Sequence, residues 1–257
     1  MTQQDAKKDE SHEHIASAFD RDLKALNDLM NEIGEKALSQ LRAAIALCDE
    51  GGNDESQDNP NTPAIETRIA TIIAGDKEID NLEAALNEKV VEVIARRAPM
   101  AQDLRSIIAA LKVAAALERI GDYAKNIAKR MRVILQAEKD ASNPQIYAMG
   151  EMVCAMLADV MTAYRDIDAD LAMAVRNRDV EVDKLHTDIF RTLLSQMDSA
   201  TGAHDNSTNL HFLFIAKNTE RMGDYVTGIA EQIYFLKCGT LPDDERPKAD
   251  KSSSPKS

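Results

Sequence analysis

Two short stretches hold a glutamate and an aspartate in the same relation: Glu118-Arg119-Ile120-Gly121-Asp122-Tyr123 and Glu220-Arg221-Met222-Gly223-Asp224-Tyr225. Inside a helix, a spacing of four puts both carboxylates on one face, one turn apart. Local propensity does not select such a stretch. Like charges at this spacing cost an isolated helix roughly 0.2–0.5 kcal/mol, and an interior glycine is about 1 kcal/mol worse than alanine. A second pattern also occurs twice, as Asp76-Lys77-Glu78-Ile79-Asp80-Asn81-Leu82 and Asp179-Val180-Glu181-Val182-Asp183-Lys184-Leu185. It stacks Asp76 with Asp80 and Asp179 with Asp183. The copies lie 102 residues apart for the first pattern and 103 for the second, which marks an internal duplication.

The chemistry open to these residues is cation binding. Ile107, Ile108, Leu111 and Leu117 before the first copy, and Ile215 before the second, imply that the motif helices are largely buried. Buried carboxylates must be protonated, paired with a cationic side chain, or bound to a metal ion. Arg119 and Arg221 are adjacent to the glutamates, but consecutive helical residues point about 100° apart. If the helix bearing each Asp pair faces the helix bearing each Glu-x-x-x-Asp, every half assembles four carboxylates. These are Asp76, Asp80, Glu118 and Asp122 in one half, and Asp179, Asp183, Glu220 and Asp224 in the other. Oxygen donors of this kind suit Mg, Ca, Mn or Fe. A solvated acidic face is the alternative for a single motif. Gly121 and Gly223 fit close approach of either a helix or an ion cluster.

Catalytic constellations are missing from the sequence. Five scattered histidines give one ligand-like spacing, Asp183-x-x-His186, and the paired Glu-x-x-His of di-iron bundles does not occur. Neither a phosphate loop, a Gly-x-Ser-x-Gly elbow nor a His-Glu-x-x-His motif is present. No catalytic residue is expected, and a metal-dependent enzyme built on the carboxylates stands as the competing class.

The elements that must position these residues read as helices throughout. Phe19, Leu23, Leu26, Met30, Ile33 and Ala37 recur at steps of four and three, predicting a long first helix over 12–49. A Gly-, Pro- and Asn-rich insertion follows at 51–63. Helical periodicity resumes at about Ala64, and helices are expected over 77–97 and 101–136, separated by Pro99. Ser142-Asn143-Pro144 opens the second half, with helices over 144–177 and 180–199 and a last one ending at Gly239. The expected fold is all-α, two tandem three-helix bundles over 12–140 and 141–239. Segments 1–11 and 240–257 are expected to be disordered, so that removing 241–257 leaves stability unchanged.

Composition bounds the partners. A net charge of -13 with pI near 4.9 argues against nucleic acid and anionic membranes, and favours cations or basic protein surfaces. Met1 to Glu10 lacks the apolar core of a signal peptide and no apolar run approaches a membrane span, so a cytoplasmic protein is expected. Cys48, Cys154 and Cys238 are odd in number and far apart, and read as small buried helix residues.

The duplicated motif resembles that of the PhoU family. The resemblance is carried by Leu117 to Ala128, by Arg96 to Arg105 and by Thr219 to Tyr225 with Ile229-Ala230-Glu231, and it spans roughly residues 14–238. It implies tandem three-helix bundles, a cytoplasmic homodimer, and a negative regulator of the phosphate-starvation response and of phosphate uptake. The partners it implies are the phosphate ABC transporter ATPase and the phosphate sensor histidine kinase. It further implies a divalent or trivalent metal (Fe, Zn, Mn or Mg) at Glu118, Asp122, Glu220 and Asp224, joined by Asp76, Asp80, Asp179 and Asp183. Gly228 stands where the first copy has Asn126, which sets the second site apart. A PhoU-like regulator of another transporter is the further alternative.

Overall fold

The computed structural model describes residues 3–50, 64–138, 141–199, 203–244, 246 and 248–252, the side chains of 3–17, 50, 199 and 203–205 aside. Among the described residues six helices account for the fold: α1 (Gln3–Glu50), α2 (Ile65–Arg97), α3 (Ala101–Ala137), α4 (Pro144–Asp166), α5 (Ala169–Ser199) and α6 (Ala203–Cys238). The all-α expectation holds, and there is no strand among the described residues. The insertion at 51–63 lies outside them.

In α1 the four-and-three spacing becomes a buried stripe through Leu26, Met30, Ile33, Ala37, Leu41 and Ile45. This helix begins at Gln3, not at His12. The residues between are polar but contain no helix breaker. Similarly, α2 starts at Ile65 and runs through Gly75, so Asp76 and Asp80 lie mid-helix and not at its start. It ends where Ala98 takes a left-handed conformation (φ 46°) and returns its N–H to the Ile94 carbonyl.

The division of the second half differs from the periodicity reading. One helix was expected over 144–177 and another from 180, yet the break falls at Ile167 and Asp168. Ile167 adopts φ 50°, and the Asp168 carboxylate accepts from the N–H groups of Asp170 and Leu171, both at 3.0 Å. An aspartate capping a helix start outweighs the absence of a glycine, while Asn177 to Asp179 stay helical. Asp179 and Asp183 therefore also lie mid-helix. The start of α4 follows expectation: Asn143 accepts from the Ile146 N–H at 3.1 Å, with Pro144 in the first turn.

Within each half the three helices pack on one another, and the halves join through α3 against α6 and α1 against α4. Gly150 brings α4 onto Ile45 of α1, and the Asn143 N–H donates to the Cys48 carbonyl at 2.7 Å. The α3–α6 contact sets the two motif copies side by side, with the rings of Tyr123 and Tyr225 6.0 Å apart. By length and composition α4 is apolar enough to cross a membrane, which amends the sequence reading. Its Met149, Val153, Met156, Leu157 and Val160 are buried in the bundle instead. Cys48 and Cys154 are buried but Cys238 is exposed.

Candidate functional site

The first acidic patch lies between α2 and α3. Lys125, one turn beyond Asp122 on α3, bridges the two helices: its ammonium pairs with Asp76 and lies 2.7 Å from Asp122 Oδ1. Asp76 is 5% exposed, and its second oxygen is buried without a hydrogen-bond partner. Although burial opposes the charge, the bonds to Asp122 and Asp76 push Lys125 up to about 12. Burial, then the like charge of Asp76, raises the Asp80 carboxyl; burial, then Asp122, raises Glu118. Arg119 sits 3.4 Å from Glu118 and 3.1 Å from Asp122. Gly121 admits the side chain of Ile79, whose Cδ1 would be 2.9 Å from an added Cβ.

The second patch, between α5 and α6, is built differently. Asp179 and Asp183 are 1% and 4% exposed. Gly223 abuts Asp179, whose Oδ1 would stand 2.6 Å from a Cβ. At the offset of 102 the counterpart of Lys125 is Thr227, whose hydroxyl donates to the Asp224 carbonyl at 2.8 Å. The missing cation arrives from the C-terminal tail. Arg246 pairs with Asp179 and lies 2.6 Å from Asp224 Oδ1. The Ala249 N–H donates to Asp183 Oδ2 at 2.7 Å. Asp250 lies 3.3 Å from His186 Nδ1 and accepts from the Thr187 hydroxyl at 3.3 Å, and the Lys251 N–H donates to that hydroxyl at 3.0 Å. Upstream, the guanidinium of buried Arg176 holds Asp244 through its carboxylate at 3.0 Å and its carbonyl at 2.9 Å. Glu220 pairs with Lys217 at 2.8 Å on its own helix and does not meet Arg246.

These contacts correct the expectation of a disordered tail from 240: the described residues through Ser252 include a segment laid against α5 and α6. Ser- and Pro-rich composition reads as disorder, but paired charges 67 residues apart in sequence decide the outcome. Even with Arg246 in place, burial dominates Asp179 and raises its carboxyl to about 6, with Asp183 and Asp224 adding to it. Asp250 goes the other way. Burial opposes its charge, yet the Ser252 N–H and hydroxyl and His186 hold it down to about 2.

The expected carboxylates are therefore assembled by half, but not around a common point. Among the described residues no three Asp, Glu, His or Cys side chains converge on a position a metal ion would take. The donor chemistry suits a hard cation; in this conformation Lys125 takes Asp76 and Asp122, and Arg246 takes Asp179 and Asp224. Sequence reasoning missed both residues. The signal for Lys125 was its position one turn from Asp122; for Arg246 it was only the lack of a lysine at Thr227. A cavity of about 380 Å³ lies elsewhere, lined by residues such as Leu26, Asn31, Ile107 and Tyr164, and touches none of the eight carboxylates.

Comparison with known proteins agrees with this architecture. The model of the PhoU domain matches residues 63–131 and again 146–233, once in each half. The chain is 39% identical, over 91% of its length and 93% of the relative's, to the phosphate-specific transport system accessory protein PhoU homolog of Zymomonas mobilis subsp. mobilis. It is 29% identical to phosphate-specific transport system accessory protein PhoU of Escherichia coli, over 89% of this chain and 88% of that protein. The crystal structure of PhoU from Pseudomonas aeruginosa superposes with a TM-score of 0.75 at 27% identity, covering 86% of this chain and all of that one. The phosphate transport system regulatory protein PhoU from Streptococcus pneumoniae gives 0.73 at 25% identity, covering 88% of this chain and 99% of that one. With two copies of the domain, each carrying one acidic patch, this chain belongs to the PhoU family.

Proposed function

We propose that this chain is a negative regulator of phosphate uptake and of the phosphate-starvation response. It acts in the cytoplasm, as a homodimer and without catalysis of its own, between the phosphate ABC transporter ATPase and the phosphate sensor histidine kinase. The observation that carries this reading is the repeated PhoU domain over both halves, together with relatives named as accessory and regulatory proteins of phosphate transport. An adaptor needs surfaces more than a nucleophile, and a net charge of -13 suits basic partner surfaces. The buried thiols of Cys48 and Cys154, both pushed up to about 12 by burial, are poor nucleophiles. Metal enters this reading as an exchange, in which an ion takes carboxylates from either patch when Lys125 or Arg246 gives way. The test is a phosphate-starvation reporter in a strain lacking the gene. Expression in phosphate-rich medium is expected, restored to silence by the intact gene; a reporter that stays silent in the deletion refutes the reading.

A further inference from the structure

We propose that the groove between α5 and α6 is a docking site for an arginine-bearing segment, and that this chain fills it in cis with its own tail. Four features carry the inference. First, the duplication supplies an internal comparison: Asp76 and Asp122 of the first patch share Lys125 from the motif helix itself, whereas the second has Thr227 at that position, its own Lys217 reaches Glu220, and Asp179 and Asp224 share Arg246 of the tail. Second, the tail is held by its backbone as well as its charge. The N–H groups of Ala249 and Lys251 and the carbonyl of Asp244 are all bonded to groove side chains. Main-chain bonds give a bound segment affinity whatever its sequence, and a charged side-chain anchor adds specificity. Third, the receiving groups sit at the bottom of the contact: Arg176, Asp179, Asp183 and His186 all meet the tail and, with it in place, are at least nine-tenths buried. Fourth, Gly223 leaves Asp179 the room to turn its carboxylate to Arg246. The segment thus covers three of the four carboxylates that the second PhoU copy shares with the first.

The inference rests on the tail contacts alone and stands whether or not the chain represses phosphate uptake. It is tested on the purified full chain, wild type against Arg246→Glu, a tail substitution that leaves the helical cores untouched; circular dichroism checks the fold. Hydrogen exchange at Ala249 and Lys251 should be slow in the wild type. In the variant it should be faster by at least about 30-fold, the factor set by losing one partner of a buried charge pair. A fluorescein-labelled synthetic peptide of residues 241–257 should bind the variant and leave the wild type unbound. Tail amides that exchange at the free rate in the wild type, or no change in Arg246→Glu, overturn the proposal. Equal peptide binding to both proteins overturns it too. Wild-type protection that rises with protein concentration would assign the groove to a second copy's tail and reject the cis occupant.

Discussion

Replacing Gly121, Gly223 and Gly228 separately with alanine isolates what each acidic patch demands of its helix. All three are interior helix positions, so each substitution gains about 1 kcal/mol from helix propensity. The environments then separate them. A Cβ on Gly228 meets nothing within 4 Å, and the whole gain should appear, as about 1 kcal/mol of added stability. At Gly121 the nearest atom, at 2.9 Å, is Cδ1 of Ile79, a terminal methyl that can swing aside. The small cost offsets the gain, leaving Gly121→Ala within roughly 0.5 kcal/mol of wild type. At Gly223 the obstacle is Asp179 Oδ1 at 2.6 Å, on a carboxylate held from its other side by Arg246. Overpacking against a fixed polar group costs about 2–3 kcal/mol, so Gly223→Ala should lose about 1–2 kcal/mol net. Gly223→Ala and Gly228→Ala, five residues apart on one helix, should then differ by about 2–3 kcal/mol, or roughly 4–12 °C in Tm. Urea and thermal unfolding of the three variants measure this. Equal gains at Gly223 and Gly228 would refute the placement of Asp179 against the motif glycine.

Three further outcomes follow from the same contacts. Lys125→Ala removes the cation shared by Asp76 and Asp122 and should cost about 2–4 kcal/mol; Mn should restore more stability to the variant than to wild type, and an equal response would show the first patch closed to ions. The Asp179 carboxyl is raised in the folded state from an ordinary 3.8 to about 6, so its contribution is fully present below pH 4 and lost as pH rises to 6, by about 3 kcal/mol. Asp179→Asn should remove that component from urea titrations run between pH 4 and 7, and an unchanged pH slope would count against the burial of the charge. Gly150→Ala should be destabilised by about 1–2 kcal/mol, because its Cβ would stand 2.5 Å and 2.7 Å from Cγ2 and Cγ1 of Ile45, a β-branched side chain with one comfortable rotamer in a helix; normal stability would refute the α1–α4 crossing.

Much of this fold was legible because duplication writes the same constraint twice. The repeated Glu-Arg-x-Gly-Asp-Tyr and Asp-x-Glu-x-Asp-x-Leu stretches located the four facing helix segments and the pairing of carboxylates across them. Where the reading failed, the deciding interaction was either a cap or a distant partner. Ile167 turns left-handed with no glycine to announce it, because Asp168 satisfies the next helix start. The tail failed for a different reason. Its local composition offers Leu241 as its only large apolar residue, and nothing near Arg246 in sequence reveals that Asp179 and Asp224 await it. Metal was expected from carboxylates considered as free donors; in this structure Asp76 and Asp122 share Lys125, and Asp179 and Asp224 share Arg246.

The tail is also a tether, and its length sets the terms of competition. Helix α6 stops at Gly239, which adopts φ 79° and returns its N–H to the Phe235 carbonyl at 2.9 Å. Arg246 follows only seven residues later. A linker that short presents its arginine to the groove at an effective concentration on the order of millimolar. A free peptide of equal intrinsic affinity would need comparable concentrations to displace it, far above those of most cellular proteins. A rival segment therefore succeeds only if it carries its own local concentration, by first binding elsewhere on the bundle. The groove would then report the arrival of a partner already docked on the bundle and ignore loose basic peptides.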